Sequence, residues 1–105
     1  VHAHPFREEY YIPEVRLFPE YIDAVEGVNA THVSRMSLHG TTPEFDERAR
    51  AYAKRLNLPM TAGSDVHSTE MLGGGIRTKE RIKDIKQFTE MILPGEIYLL
   101  FDSIN

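Results

Sequence analysis

Short apolar runs alternate along this chain with segments in which apolar residues recur every three or four positions. The short runs predict strands. They occupy residues 1–6, 24–29, 58–62 and 97–101. The recurring pattern predicts two longer helices between them, and Pro19 predicts a short helix over residues 20–23. Alternation of strands and helices is typical of an α/β fold with parallel strands and right-handed crossovers.

The helix after Thr42 has the clearest pattern. Thr42 is a suitable N-cap, Pro43 occupies the first helical position, and Asn57 follows the last turn. The apolar residues of this helix share one face, and they are Phe45, Ala49, Tyr52, Ala53 and Leu56. The segment therefore predicts an amphipathic helix that packs one side against the core.

A second helix is predicted after Thr78, which would cap it. Its apolar face comprises Ile82, Ile85, Phe88 (or Thr89) and Ile92. Gly73–Gly75 predict a flexible turn before this helix, and residues 93–95 end it. The apolar run at residues 97–101 is nearly continuous, which favours a strand buried on both faces.

The composition is that of a soluble globular domain. Apolar residues make up 41% and charged residues 27%, and no apolar run approaches the ~18 residues that a membrane-spanning helix needs. The net charge of −4 and the lack of a basic stripe argue against nucleic-acid binding by this stretch alone. The absence of cysteine excludes disulfides, thiolate metal sites and a cysteine nucleophile, and it fits the cytoplasm.

Candidate metal ligands follow three consecutive predicted strands, where α/β folds collect functional groups. The candidates are His2 and His4, Glu26 and Asn29, and Asp65 and His67. Nitrogen and oxygen ligands without sulfur suit Zn²⁺, Mn²⁺ or Fe²⁺. A site with two or three such ions can bind phosphate and lower the pKa of a bridging water.

Structural explanations compete with ligation at several of these positions. Only one of His2 and His4 can point inward with a given set, and His4 is the better candidate. Glu26 lies within a strand and is better explained by pairing or by solvent exposure than by ligation. Asp65 and His67 follow a Gly-Ser turn directly after a strand, a pattern with few purely structural explanations.

Other polar features have simpler explanations. His32 and His39 lie in polar sequence and are predicted to be exposed. Gly73–Gly75 lack the flanking residues of a known phosphate-binding loop, so the prediction for them remains a turn.

Three segments, residues 1–7, 22–29 and 58–67, together resemble the later motifs of the PHP (polymerase and histidinol phosphatase) superfamily. They read VHAHPFR, IDAVEGVN and LPMTAGSDVH. The resemblance covers residues 1–76 and implies part of a distorted (β/α)₇ barrel with a site for up to three metal ions. Members of the superfamily are mostly phosphatases, phosphodiesterases or nucleases, and some are accessory domains of polymerases.

The resemblance also assigns roles to individual residues. It implies that His4 is a ligand of one metal ion, Asp65 of a second, and His67 of a third or of the phosphate. Asp65 and His67 are thereby the implied catalytic residues, and Arg7 is a candidate phosphate contact. Glu26 belongs to the motif as a support of the site. The implied cofactors are divalent ions, Zn, Mn or Fe.

One departure from the superfamily pattern matters. An opening His-x-His motif, a bridging Glu and further histidines precede the Ala-His-Pro motif in the superfamily, and this sequence has no counterpart to them. Residues 1–105 are therefore predicted to be the C-terminal part of a PHP domain, inactive alone. Such an incomplete part of a barrel would have exposed strand edges, and these favour self-association.

Three functions follow as hypotheses. The first is a phosphoesterase that hydrolyses phosphate mono- or diesters of a small molecule or nucleotide in the cytoplasm, with nucleic acid reached only through a longer parent protein. The second is a non-catalytic PHP-like domain with a structural or partner-binding role. The third is an unrelated α/β binding module in which the Gly-Ser-Asp-x-His turn is coincidental.

Overall fold

A parallel pair of strands lies at the centre of the fold. The computed structural model describes residues 1–10, 12–33, 41–69, 73–94 and 99–101, apart from the side chains of Glu8, Tyr10 and Phe101. Strand β1 is Val25–Asn29 and strand β2 is Met60–Gly63, and the two pair in parallel. His2 adds an isolated parallel bridge to Val25. The predicted α/β class and the parallel pairing of these two strands are confirmed.

Helix α1, Pro43–Arg55, connects the two strands and covers one face of β1. Val25, Ala49, Tyr52 and Ala53 form a buried cluster between helix and strand. The predicted helix start at Pro43 is confirmed, although the Thr42 side chain makes no capping bond. Asn57 has a φ of 55°, the left-handed conformation expected of a residue just past a helix end. Leu56 lies at the edge of the predicted apolar face and is exposed.

The prediction of a strand over residues 1–6 is wrong beyond His2. His4 has a φ of 30°, and its carbonyl accepts the N–H of Arg7 at 3.1 Å. The chain therefore turns at Pro5 and continues into a 3₁₀ turn, Arg7–Tyr10. The helix predicted over residues 20–23 is a 3₁₀ turn at Pro19–Tyr21.

The prediction of four parallel strands is wrong at the last strand. Strand β4, Leu99–Phe101, pairs antiparallel with strand β3, Gly75–Arg77. Gly73 and Gly74 have positive φ values, of 150° and 75°, and Gly75, which was predicted to be part of the turn, already belongs to β3. Leu99 is 61% exposed, so β4 is not buried on both faces. Within the described residues the sheets have two strands each, and they close no barrel.

Helix α2, Ile85–Ile92, begins later than the sequence pattern predicts. Asp84, not Thr78, is the N-cap, because its side chain accepts the N–H of Gln87 at 2.8 Å. The Gln87 side chain in turn accepts the N–H of Lys83, a variant of the reciprocal capping box. Among the described residues of α2 only Ile92 is buried, so this helix packs far less tightly than α1.

A buried hydrogen bond between His32 and Asp46 joins α1 to the 3₁₀ turn Ala30–Val33 that follows β1. His32 was predicted to be exposed, and this is wrong, because its side chain is only 2% exposed and its Nδ1 lies 2.6 Å from Asp46 Oδ1. Both oxygens of Asp46 also accept the backbone N–H of Asn29, at 3.2 Å. The pair thus fixes the end of β1 to the first turn of α1. His39 lies outside the described residues.

No helix in the described part of the chain is long and apolar enough to cross a membrane.

We expect Ala53→Leu to destabilise the protein by about 1–3 kcal/mol, because Ala53 is completely buried between α1 and β1 and a larger side chain must displace its neighbours. The midpoint of urea denaturation measures the effect. Ala51→Leu is the matched control, since Ala51 is exposed on the same helix, and it should change stability by less than about 0.5 kcal/mol. Equal effects of the two variants would contradict the packing described for α1.

We expect Asp46→Ala to cost about 3 kcal/mol of stability, because it leaves His32 and the N–H of Asn29 buried without their acceptor. Glu44→Ala is the control, since Glu44 is exposed in the same helical turn. Removal of Glu44 forfeits only its interaction with the helix dipole, about 0.3–1 kcal/mol. A loss at Asp46 no larger than the loss at Glu44 would rule out a stabilising role for the buried pair.

Candidate functional site

Five polar residues meet where β1 and β2 end, and we call them the site cluster. They are His4, Arg7, Glu26, Asn29 and Asp65. Glu26 and Asn29 belong to β1, and Asp65 follows β2 by two residues. His4 reaches the cluster because His2 is bridged to Val25, and Arg7 begins the next 3₁₀ turn. The cluster therefore collects groups from three separate chain segments.

Glu26 accepts hydrogen bonds from the His4 segment and from Asn29 on its own strand. Its Oε2 accepts the backbone N–H of His4 at 2.8 Å and the side-chain amide of Asn29 at 3.2 Å. The other oxygen lies against Gly63, where a Cβ atom would come within 3.2 Å of it. Glu26 thus positions the His4 segment against β1 and β2.

Arg7 bridges the two predicted metal ligands that the structure brings together. Its Nη1 donates to Asp65 Oδ2, and its Nη2 lies 2.6 Å from His4 Nε2. A guanidinium only donates hydrogen bonds, so His4 Nε2 accepts, and the neutral ring carries its proton on Nδ1. Burial and the positive charge of Arg7 lower the pKa of His4, which favours this neutral ring. His4 Nδ1 is buried and has no hydrogen-bond partner among the described residues.

Asp65 is held as an anion with its carboxylate directed toward the cluster. Partial burial raises the pKa of the Asp65 carboxyl, but hydrogen bonds from Arg7 and Asn29 outweigh it and hold that pKa below its usual value. The residue has a φ of 51°, a left-handed conformation that Asp tolerates better than most residues. The Thr31 hydroxyl lies 2.8 Å from the carbonyl oxygen of Ser64 and 3.0 Å from that of Asp65, which fixes this turn.

His67 lies at the edge of the site rather than inside it. Its side chain is 69% exposed, and its Nδ1 lies 2.8 Å from the carbonyl oxygen of Asp65. Because a carbonyl only accepts, Nδ1 carries the proton and Nε2 keeps its lone pair in the neutral ring. The structure thus joins His4, Arg7 and Asp65 through side-chain hydrogen bonds, whereas His67 hydrogen-bonds the backbone of Asp65 and lies 3.8 Å from its Oδ1.

The sequence pattern did not predict two parts of this arrangement. One is the pairing of Arg7 with His4 and Asp65, and nothing in the local sequence marks it. The other is the buried Asp46, which supports Asn29 from behind. Asp46 lies three residues before Ala49 and seven before Ala53, on the same helical face. A carboxylate on the apolar face of a helix was therefore the sequence signal that could have indicated a buried polar contact.

Among the residues that the structure describes, the donor atoms match a divalent cation in kind but are too few to hold one. A neutral imidazole and a carboxylate are the forms in which His and Asp bind metals. Arg7 already places one cation between His4 Nε2 and Asp65 Oδ2. Over the described residues, however, no three His, Asp or Glu side chains are grouped so that they can hold a metal ion. Further ligands would have to come from elsewhere.

Comparison with known proteins identifies the family. A family model described as PHP-associated matches residues 43–97, just over half of the chain. The match includes α1, β2, α2 and the turn with Asp65 and His67, whereas His4, Arg7 and β1 precede it. No curated protein and no solved structure matches this chain. The match confirms the resemblance drawn from the sequence motifs, and the chain belongs to the PHP-associated family.

Proposed function

We propose that this chain is the C-terminal part of a PHP domain that hydrolyses phosphate mono- or diesters with the help of divalent metal ions. The observation that carries the proposal is the convergence of His4 Nε2 and Asp65 Oδ2 on one cationic group at the ends of parallel strands. In the complete domain β1 and β2 would form part of a distorted barrel, with the site at the C-terminal ends of its strands.

Three residues would contribute to metal binding. His4 offers Nε2 and Asp65 offers Oδ2, and His67 offers the Nε2 that its bond to the Asp65 carbonyl leaves available. A His that donates from one ring nitrogen and keeps the lone pair on the other is the usual arrangement of a metal-binding imidazole. Zn²⁺, Mn²⁺ or Fe²⁺ would supply an activated water and neutralise charge on the phosphate.

The other residues of the site would position the metal-binding residues and contact the phosphate. Glu26 accepts a hydrogen bond from the backbone of His4, and Asn29 donates one to the carboxylate of Asp65. The two proposed metal-binding residues are therefore positioned before a metal ion or a substrate binds. Arg7 is the candidate contact for the phosphate, because a guanidinium can donate two parallel hydrogen bonds to two phosphate oxygens. The substrate class is a phosphorylated small molecule or a nucleotide, and the absence of cysteine fits the reducing cytoplasm.

A non-catalytic PHP-like domain is the second candidate, and one observation favours it. Arg7 occupies the Nε2 lone pair of His4 and one acceptor site on Asp65 Oδ2, and the described residues form no three-donor group. Such a cluster fits a site that has kept its ion pair for stability alone.

We expect Asp65→Asn to lower kcat/KM for p-nitrophenyl phosphate or its diester at least about 100-fold in the complete protein, with Mn²⁺ or Zn²⁺ added. The amide lacks the negative charge that binds the metal ion. The variant keeps the size of the side chain, so the turn after β2 should persist.

Asp23→Asn serves as the control, because Asp23 is an exposed carboxylate outside the site cluster. Its kcat/KM should equal that of the wild type. Hydrolysis that needs no metal ion, or that survives Asp65→Asn, would remove the phosphoesterase proposal and leave the non-catalytic domain.

A further inference from the structure

We propose that Thr31 is a positioning residue for His67: its hydroxyl holds the backbone carbonyl of Asp65, and that carbonyl selects the tautomer of the His67 ring. This inference rests on the proposed phosphoesterase function, in which the Nε2 lone pair of His67 takes part. It adds to the site a residue from the 3₁₀ turn after β1, which acts only through the backbone of Asp65.

The Thr31 hydroxyl lies within hydrogen-bonding distance of two consecutive carbonyl oxygens. Its Oγ1 is 2.8 Å from that of Ser64 and 3.0 Å from that of Asp65. Successive carbonyls of an extended strand point to opposite sides, whereas here both reach the same atom, and Asp65 between them has a φ of 51°. A hydroxyl carries one hydrogen, so the two oxygens share it, and it offsets the repulsion between them.

Asp65 is held at both its side chain and its backbone. The side-chain amide of Asn29 donates to Asp65 Oδ2, and its side-chain oxygen accepts the backbone N–H of Thr31 at 3.0 Å. Thr31 is only 6% exposed, so water is poorly placed to replace its hydroxyl. A left-handed backbone at a residue with a side chain persists only where its surroundings support it. The hydroxyl of Thr31 is such a support.

The carbonyl of Asp65 is also the partner of His67. His67 Nδ1 lies 2.8 Å from this oxygen, which has a lone pair for Thr31 and another for His67. The Asp65 carboxylate does not replace it, because its Oδ1 is 3.8 Å from Nδ1. The His67 side chain is 69% exposed, so packing restrains it little. Its tautomer therefore depends on the bond to the carbonyl, and loss of that bond favours the proton on Nε2.

The test reads the tautomer directly, without added metal ion. In the complete protein with ¹⁵N-labelled histidine, the chemical shifts of the two ring nitrogens show which one carries the proton. The measurement is made at about pH 9, above the usual titration range of histidine. We expect the Nδ1–H tautomer of His67 in the wild type and a shift toward Nε2–H in Thr31→Val, which keeps the shape and the backbone N–H but lacks the hydroxyl.

Activity should follow the tautomer. In the assay used for Asp65→Asn, kcat/KM of Thr31→Val should fall at least about 10-fold. Thr31→Ser keeps the hydroxyl and loses only a methyl group, so it should retain the wild-type tautomer and a kcat/KM within about 2-fold. Thr42→Val is the matched control, because Thr42 is just as buried and its side chain makes no capping bond. It should leave both readouts unchanged.

The outcomes separate the two proposals. Circular dichroism verifies folding, and Thr31→Ala is a second variant without the hydroxyl should Thr31→Val fold poorly. Persistence of the Nδ1–H tautomer without the hydroxyl, or its loss in Thr31→Ser or Thr42→Val, overturns the positioning by Thr31. A changed tautomer with unchanged kcat/KM also overturns it. If the wild type hydrolyses no phosphate ester, the proposed function fails, whereas the tautomer still decides whether Thr31 orients His67.

Discussion

Asn29 joins the parts of this structure on which the site depends. The residue is completely buried at the end of β1, and its hydrogen-bonding groups reach four other residues. Its backbone N–H binds Asp46, its side-chain oxygen accepts the N–H of Thr31, and its side-chain amide donates to Glu26 and Asp65. An aspartate of the same shape would lose both donors while facing two carboxylates. Helix packing, through the backbone N–H, and site geometry, through the side-chain amide, therefore depend on the same residue.

The parts of the fold that could be predicted are those in which local pattern and final environment agree. Helix α1 has its cap, its N-terminal proline and its apolar face within one continuous segment, so periodicity sufficed. The pairing of β1 with β2 followed because a helix between two strands implies a parallel crossover. Strand β4 was misplaced because its partner, Gly75–Arg77, offers only a short segment after glycines that also form a turn.

The site was predicted less completely than the fold, since side-chain partners lie far apart in sequence. The structure brings His4 and Asp65 to the same guanidinium, although His4 follows an isolated bridge rather than the predicted strand, and their roles as metal ligands remain a prediction. The buried His32 is hydrogen-bonded to Asp46, fourteen residues away, and the apolar pattern of the local sequence does not reveal such a contact. Arg7 meets Asp65 across fifty-eight residues, and only the folded chain brings them together.

Gly63 shows how a carboxylate on one strand can limit the size of a residue on another. Its backbone is that of an ordinary strand residue, and the limit is set by Glu26 Oε1, which leaves a Cβ atom only 3.2 Å. Glycine is favoured here by its neighbour rather than by its own torsion angles, because a Cβ atom would require the Glu26 carboxylate to move by a few tenths of an ångström. Substitutions at positions 26 and 63 should therefore be correlated over evolutionary time. A shorter side chain at position 26 leaves room for a larger residue at position 63, whereas glutamate at position 26 favours glycine there.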